Sequence, residues 1–302
     1  MIDKNEFLTC DYYEKLVAEL GREDIIHVPA EEVSDFFERT NDHTKLTVVS
    51  SFSDYSIRYQ YQNHPNKDII KFANATNWAS LANIHDRYMA VQLGPACNKE
   101  KCDPADNYSV KIDRFTTSTF SRIPAGIKWF ATNLDIVGTT SDHDISWLPF
   151  GVNNDGHGKD ILANYRGRPK KGLLYVNFQN NSFDRFHYKN FFRNIPWVTF
   201  RENANLPVEQ YYEELSEHKF VLSPFGNGLD CYRNYEAMYL GTVPILETSV
   251  MTDMMRRSGL PVMLRADLTG ITLNDLNYEH INDSEFDCPL LTKSYWRKKI
   301  GG

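Results

Sequence analysis

The sequence predicts an α/β protein made of two successive parallel-sheet halves. Three observations carry this. Short apolar runs alternate with helix-spaced segments between residues 45 and 150, the same rhythm restarts at Leu173, and a stretch rich in Gly, Asn and basic residues (153–172) separates the two. A chain of 302 residues has room for two domains of about 150 residues each. The division is read as a first domain over 1–160 and a second over 161–302.

A polar, helical lead-in comes first. Residues 45–50 (KLTVVS) then read as a buried strand that leaves into Ser51-Phe52-Ser53-Asp54. Residues 67–84 place Ile69, Ile70, Phe72, Ala73, Trp78, Leu81 and Ile84 at helical spacing. Residues 88–93 (YMAVQL) form a strand stopped by Gly94-Pro95, and a polar loop follows to residue 107. Two short strands, 127–131 (IKWFA) and 145–148 (ISWL), complete this half. Arg166, Arg168, Lys170 and Lys171 read as part of a solvated linker, with an anion-holding role as the alternative. Strands at 173–178 (LLYVNF) and 197–200 (WVTF) open the second half. A helix from Pro207 to about residue 217 follows, with proline tolerated in its first turn. Then come a strand at 220–223, a helix at 230–240 closed by Gly241, and strands at 243–246 and 261–264.

Composition excludes several function classes. With 33 basic and 40 acidic residues the formal charge is −7, which opposes broad binding to nucleic acid or anionic membrane. No apolar run reaches the roughly 18 residues of a membrane span, and the opening MIDKNEFLTCDYYEK is too polar for a signal peptide. The expected location is cytoplasmic or otherwise soluble, and the secretory lumen only if an anchor has been removed. The five cysteines read as free thiols, with a Cys97–Cys102 loop disulfide or half a zinc site as the alternative, and no metal site is expected.

The segment 218–247, HKFVLSPFGNGLDCYRNYEAMYLGTVPILE, carries the chemistry. A buried strand runs through Ser223 into Pro224-Phe225-Gly226-Asn227-Gly228, and a helix starts within a few residues. Glycines two apart allow unusual backbone angles and close approach of a ligand, and the amides opening the helix suit an anion. Arg233 adds a full charge one turn in, and Glu236 lies on the same side of the helix. These fit a nucleotide diphosphate, with Arg233 on phosphate and Glu236 accepting from ribose hydroxyls. The alternative is a glycine turn before a helix with a surface Arg–Glu pair. Neither a dinucleotide fingerprint nor a Walker loop is present.

The order Ser223, Pro224, Gly226, Gly228, Asp230, Arg233, Glu236, Ala237, Gly241, Pro244, Ile245 resembles the nucleotide-sugar half of exostosin-like glycosyltransferases. WFATN (129–133), LPFGV (148–152), LLYVNF with Arg185, and the tail YWRKKI (295–300) are similar to further stretches of that family, whereas residues 1–120 match poorly. The resemblance implies the GT-B architecture, two Rossmann-like domains with parallel sheets facing across a cleft, the donor in the second and the acceptor mainly in the first. It implies a UDP-sugar donor, inversion and no bound metal or cofactor, with a glycan or glycoprotein as acceptor and xylose as the first sugar. Asn177, Arg185, Ser223, Phe225, Gly226, Asn227, Gly228 and Asp230 join Arg233 and Glu236 as donor-binding candidates. Thr199, Arg201 and Asn203, after a strand, are placed near the uracil.

Inversion needs a base for the acceptor hydroxyl. Asp54, just past the C-terminal end of the KLTVVS strand, is the first choice, Asp86 beside His85 the second and His64 the third. The alternatives are a metal-dependent transferase using Asp142-His143-Asp144, a GDP-fucose-type GT-B transferase, and a glycan-binding protein without turnover.

Overall fold

The computed structural model describes residues 2–29, 32–40, 45–51, 57–59, 114–115, 123, 126–135, 144–153, 158–180, 183–226, 228–279, 281 and 283–302. In chain order the first half contributes α1 (Tyr12–Leu20), β1 (Ile25–His27), α2 (Val33–Arg39), β2 (Leu46–Ser50), β3 (Ile57–Tyr59), β4 (Arg114–Phe115), β5 (Ile127–Ala131), β6 (Leu134–Asp135) and β7 (Asp144–Trp147). Four of these strands form one parallel sheet in the order β1-β2-β5-β7, and the short pieces β4-β3-β6 form another.

Successive strand residues point to opposite faces, and in β2 and β5 both faces are apolar. Val48 and Trp129 join the main core, whereas Val49 and Phe130 pack with Tyr13 and Leu16 of α1. A parallel sheet covered on both sides needs such continuous apolar runs, which is why KLTVVS and IKWFA are legible as strands.

The second half runs α3 (Gly158–Ala163), β8 (Gly172–Val176), α4 (Phe183–Phe192), β9 (Val198–Phe200), α5 (Val208–Ser216), β10 (His218–Leu222), α6 (Tyr232–Tyr239), β11 (Val243–Glu247), α7 (Val250–Arg257), β12 (Met263–Arg265) and α8 (Lys293–Gly301). Its sheet is wholly parallel in the order β12-β11-β10-β8-β9. Counted by appearance that is 5-4-3-1-2, so the winding reverses between β8 and β10. In open α/β sheets such a switch point leaves a crevice beyond the strand C-termini. All five residues of β11 are buried. Gly241, at φ +70°, closes α6: its N–H donates to Met238 O at 3.1 Å and that of Thr242 to Ala237 O at 2.8 Å. This is the glycine-dependent helix ending expected from the sequence.

The basic residues of the stretch between the halves, read above as a solvated linker, are each tied to another part of the protein. Arg166 donates to the Ile2 and Tyr239 carbonyls, Arg168 pairs with Glu213 at 2.7 Å, and Lys171 pairs with Glu217 at 2.6 Å. Lys170 Nζ donates to Ser216 O, Leu240 O and Thr242 Oγ1 at 2.8–2.9 Å, a cation on the C-terminal ends of α5 and α6. The chain start is likewise more than a polar lead-in: Phe7 stacks on Tyr239 with ring centroids 4.1 Å apart, and Leu8 N–H donates to the Tyr239 hydroxyl. Trp296 of α8 packs edge-on against Tyr13 of α1. Among the described residues no helix is long and apolar enough to cross a membrane. Cys10, Cys231 and Cys288 are in no disulfide, and Cys97 and Cys102 lie outside the described residues.

Candidate functional site

A cavity of about 730 Å³ opens where the switch point predicts. Its walls come from segments that follow strand C-termini. Phe150 and Asn153 follow β7, Asn177, Phe178 and Gln179 follow β8, residues 204–208 follow β9, and Gly226, Gly228 and Asp230 follow β10. Cys231 to Arg233 and Glu236 add the start of α6, and Tyr211 adds α5.

Two guanidinium groups face this space. Arg185 of α4 is buried, and its Nε donates to Phe225 O at 2.8 Å. Burial, and then the charge of Arg233, pulls its pKa down to about 10, so it is still a cation at neutral pH. For Arg233, burial opposes the charge, but Tyr211, Cys231 and Glu236 outweigh it and the pKa moves up. Both Arg233 Nε and Nη1 are buried without a hydrogen-bond partner. Buried donors on a charged group are costly to leave unmet. The two guanidinium carbons each lie 5.7 Å from the Phe178 ring centre, and Lys189 Nζ lies 6.0 Å away. The aromatic face eases this crowding of cations, and the Glu236 carboxylate offsets part of the charge.

Glu236 is buried beside them, its two oxygens accepting from the Tyr211 and Tyr212 hydroxyls at 3.0 and 3.2 Å. Burial raises its pKa, against the pull of Arg233 and both tyrosines. Four acceptor directions on a carboxylate leave capacity for a ligand hydroxyl.

The glycine loop works differently from the sequence expectation. Neither Gly226 nor Gly228 is among the positive-φ residues, and both make room for the protein's own side chains. A Cβ on Gly228 would stand 2.8 Å from Asn133 Oδ1, and one on Gly226 3.1 Å from Arg185 Nη2. Asn133, itself at φ +53° and fully buried, accepts from Asp230 N–H at 2.8 Å. Asp230 in turn accepts from Phe150 N–H (3.2 Å), Cys231 N–H (2.9 Å), Asn234 Nδ2 (2.9 Å) and the Tyr235 hydroxyl. Burial lifts its pKa to about 6, with these donors opposing. Asp230 therefore joins the loops after β5 and β7 to the start of α6, and its oxygens are taken up in doing so. Ser223 belongs to the same lock, its hydroxyl donating to Asn234 Oδ1 at 2.6 Å.

Other expected contacts are off the cavity wall. Thr199 Oγ1 bonds His218 Nε2 at 2.7 Å, Asn203 Oδ1 accepts from Asn205 N–H, and Arg201 is bidentate on Glu214 at 2.9 and 2.7 Å. Phe225 contributes its carbonyl to Arg185 rather than its ring to the wall. Asn177 is on the wall, buried, with Nδ2 donating to the Tyr175 hydroxyl at 2.8 Å. Asp54, Asp86, His64, His85, Asn227, Asp142 and His143 lie outside the described residues. Asp144 opens β7 and faces Lys128 at 3.8 Å, at the strand end away from the cavity. Sequence reasoning missed Phe150, Asn153, Phe178, Gln179 and Tyr211. The apolar residue ending the LLYVNF run was the available signal for Phe178.

Residues 177–265 match the family model of the RXYLT1 C-terminal domain, a xylosyltransferase-related family. The match spans less than half of the chain and contains the whole second-half wall, from Asn177 through Glu236. It supports an exostosin- or xylosyltransferase-like identity and glycosyltransferase activity in general. No curated protein matches the chain.

Proposed function

We propose that this protein is a GT-B glycosyltransferase that moves a monosaccharide, xylose first, from a UDP-sugar to a hydroxyl of a glycan or glycoprotein, with inversion and without a bound metal. The observation that carries this reading is the pair of buried guanidinium groups at the switch point, Arg185 and Arg233, with Arg233 Nε and Nη1 unpartnered. A diphosphate supplies acceptors for those nitrogens and charge for both cations. The match of this wall to a xylosyltransferase-related family supports the same reading. Segments following strand C-termini of both halves meet at the cavity, which suits a donor in the second domain and an acceptor approaching from the first.

In this reading the bond from the anomeric carbon to the diphosphate oxygen breaks as the acceptor oxygen bonds from the opposite face. Charge builds on the departing oxygen and strengthens its interaction with Arg233 and Arg185, so their effect is greatest in the transition state. Glu236 accepts from ribose hydroxyls. The acceptor proton goes to Asp54, four positions past the last residue of β2, or to Asp86 as second choice.

Titration with UDP and turnover of UDP-xylose test the proposal. Arg233→Ala is expected to weaken UDP about 10- to 100-fold, the loss of a charge-assisted hydrogen bond or two. Asp54→Asn is expected to keep UDP affinity and abolish turnover. Unchanged UDP affinity in Arg233→Ala overturns the reading, and unchanged turnover in Asp54→Asn removes Asp54 as the base.

A further inference from the structure

A row of hydrogen bonds reaches the cavity wall at Asn177, and its direction is fixed from the far end. The Glu214 carboxylate, gripped by Arg201 at 2.9 and 2.7 Å, can only accept while ionised. The Tyr175 hydroxyl has one proton and sends it to Glu214 Oε2 at 2.8 Å. Its oxygen is then left to accept, which it does from Asn177 Nδ2 at 2.8 Å. The amide group is thereby held with its NH2 toward Tyr175 and its carbonyl toward the cavity. Asn177 is only 2% exposed, so this oxygen is a fixed part of the wall rather than a mobile surface group.

Its surroundings narrow what it recognises. Phe178, the next residue, has the Arg185 and Arg233 guanidinium groups on its ring. A neutral acceptor among cations is useless to a phosphate oxygen and requires a donor. In a UDP-sugar the donors flanking the diphosphate are hydroxyls, on the ribose at one end and the transferred sugar at the other. Glu236 takes the ribose in the reading above.

We infer that Asn177 Oδ1 is the acceptor that reads a hydroxyl of the transferred sugar, with Tyr175, Glu214 and Arg201 as positioning residues that keep it facing that way. This rests on the nucleotide-sugar reading and deepens it. It also gives Arg201 a role in specificity despite its distance from the cavity wall: a surface ion pair sets the hydrogen-bonding sense of a buried amide.

The test compares UDP with UDP-xylose by calorimetric titration of the unsubstituted protein, Asn177→Ala and Tyr175→Phe. Tyr175→Phe keeps the ring stacked on His218 but lets the amide turn. Both variants are expected to bind UDP as the parent does. Asn177→Ala is expected to lose about three- to tenfold in UDP-xylose affinity, and Tyr175→Phe a smaller part of that, the range for one neutral hydrogen bond. Parallel weakening of UDP and UDP-xylose overturns the inference, as does UDP-xylose binding no more tightly than UDP to the parent. Failure of UDP itself to bind the parent is a different result, and sinks the nucleotide reading beneath it.

Discussion

Gly228→Ala places a methyl group where Asn133 already stands. The new Cβ would lie 2.8 Å from Asn133 Oδ1, 2.9 Å from Nδ2 and 3.0 Å from Cγ, all inside ordinary contact distance. Asn133 has nowhere to retreat, since it is fully buried and its Oδ1 holds the Asp230 N–H at 2.8 Å. Overpacking of this kind costs about 1–3 kcal/mol, and if Asn133 swings away the orphaned Asp230 N–H costs about 1–3 kcal/mol instead. Against a total stability of roughly 5–15 kcal/mol, a loss of about 1–3 kcal/mol lowers the melting temperature on the order of 2–10 °C. Thermal unfolding followed by circular dichroism measures it. Asn133→Gly in the same chain opens the space and suits the positive φ at that position. The double variant also lacks the acceptor for the Asp230 N–H, but without the clash it is expected to lose less than the sum of the two single variants, with a coupling of about 1–2 kcal/mol. A melting temperature equal to the parent's, or strict additivity of the two substitutions, refutes the packing argument.

Asp230 gives a pH signature. Its folded pKa of about 6 exceeds the roughly 4 of an unfolded aspartate, so its contribution to stability is fully present below pH ~4 and lost as pH rises through about 6. Between pH 5 and pH 7 urea denaturation should show the parent losing about 1 kcal/mol more than Asp230→Asn, and equal slopes would remove this account of the buried carboxyl. Lys170→Met takes a cation from two helix ends and one hydroxyl. A loss of about 2 kcal/mol is expected in the same assay, and no loss would show that water replaces the ammonium group without penalty.

Sequence legibility followed the range of the interactions. The strand at 127–131 was readable to the residue because Ile127, Trp129, Phe130 and Ala131 are all buried, and α6 was readable because Gly241 ends it. The three-residue β1 was missed, since Ile25 and Ile26 sit in a polar context too short to show a period. Arg233 and Glu236 line one cavity, as a helix start and its i, i+3 pair suggest because both are local patterns, and Arg185, which entered through the family resemblance, lines the same cavity from another helix. The reason for Gly228 was not legible: the side chain it accommodates belongs to Asn133, and the Asn133–Asp230 bond spans 97 positions. Arg201, Thr199 and Asn203 were assigned to a ligand because a strand end tells which loop is near a crevice. It does not tell which side chains are already paired within the protein, and theirs are.

The most direct measurement is a crystal structure of the protein with uridine diphosphate. The account predicts the diphosphate in the cavity beyond β8 and β10, with phosphate oxygens within hydrogen-bonding distance of Arg233 Nε or Nη1. Nucleotide found elsewhere, or in the cavity with those two nitrogens still unpartnered, contradicts it.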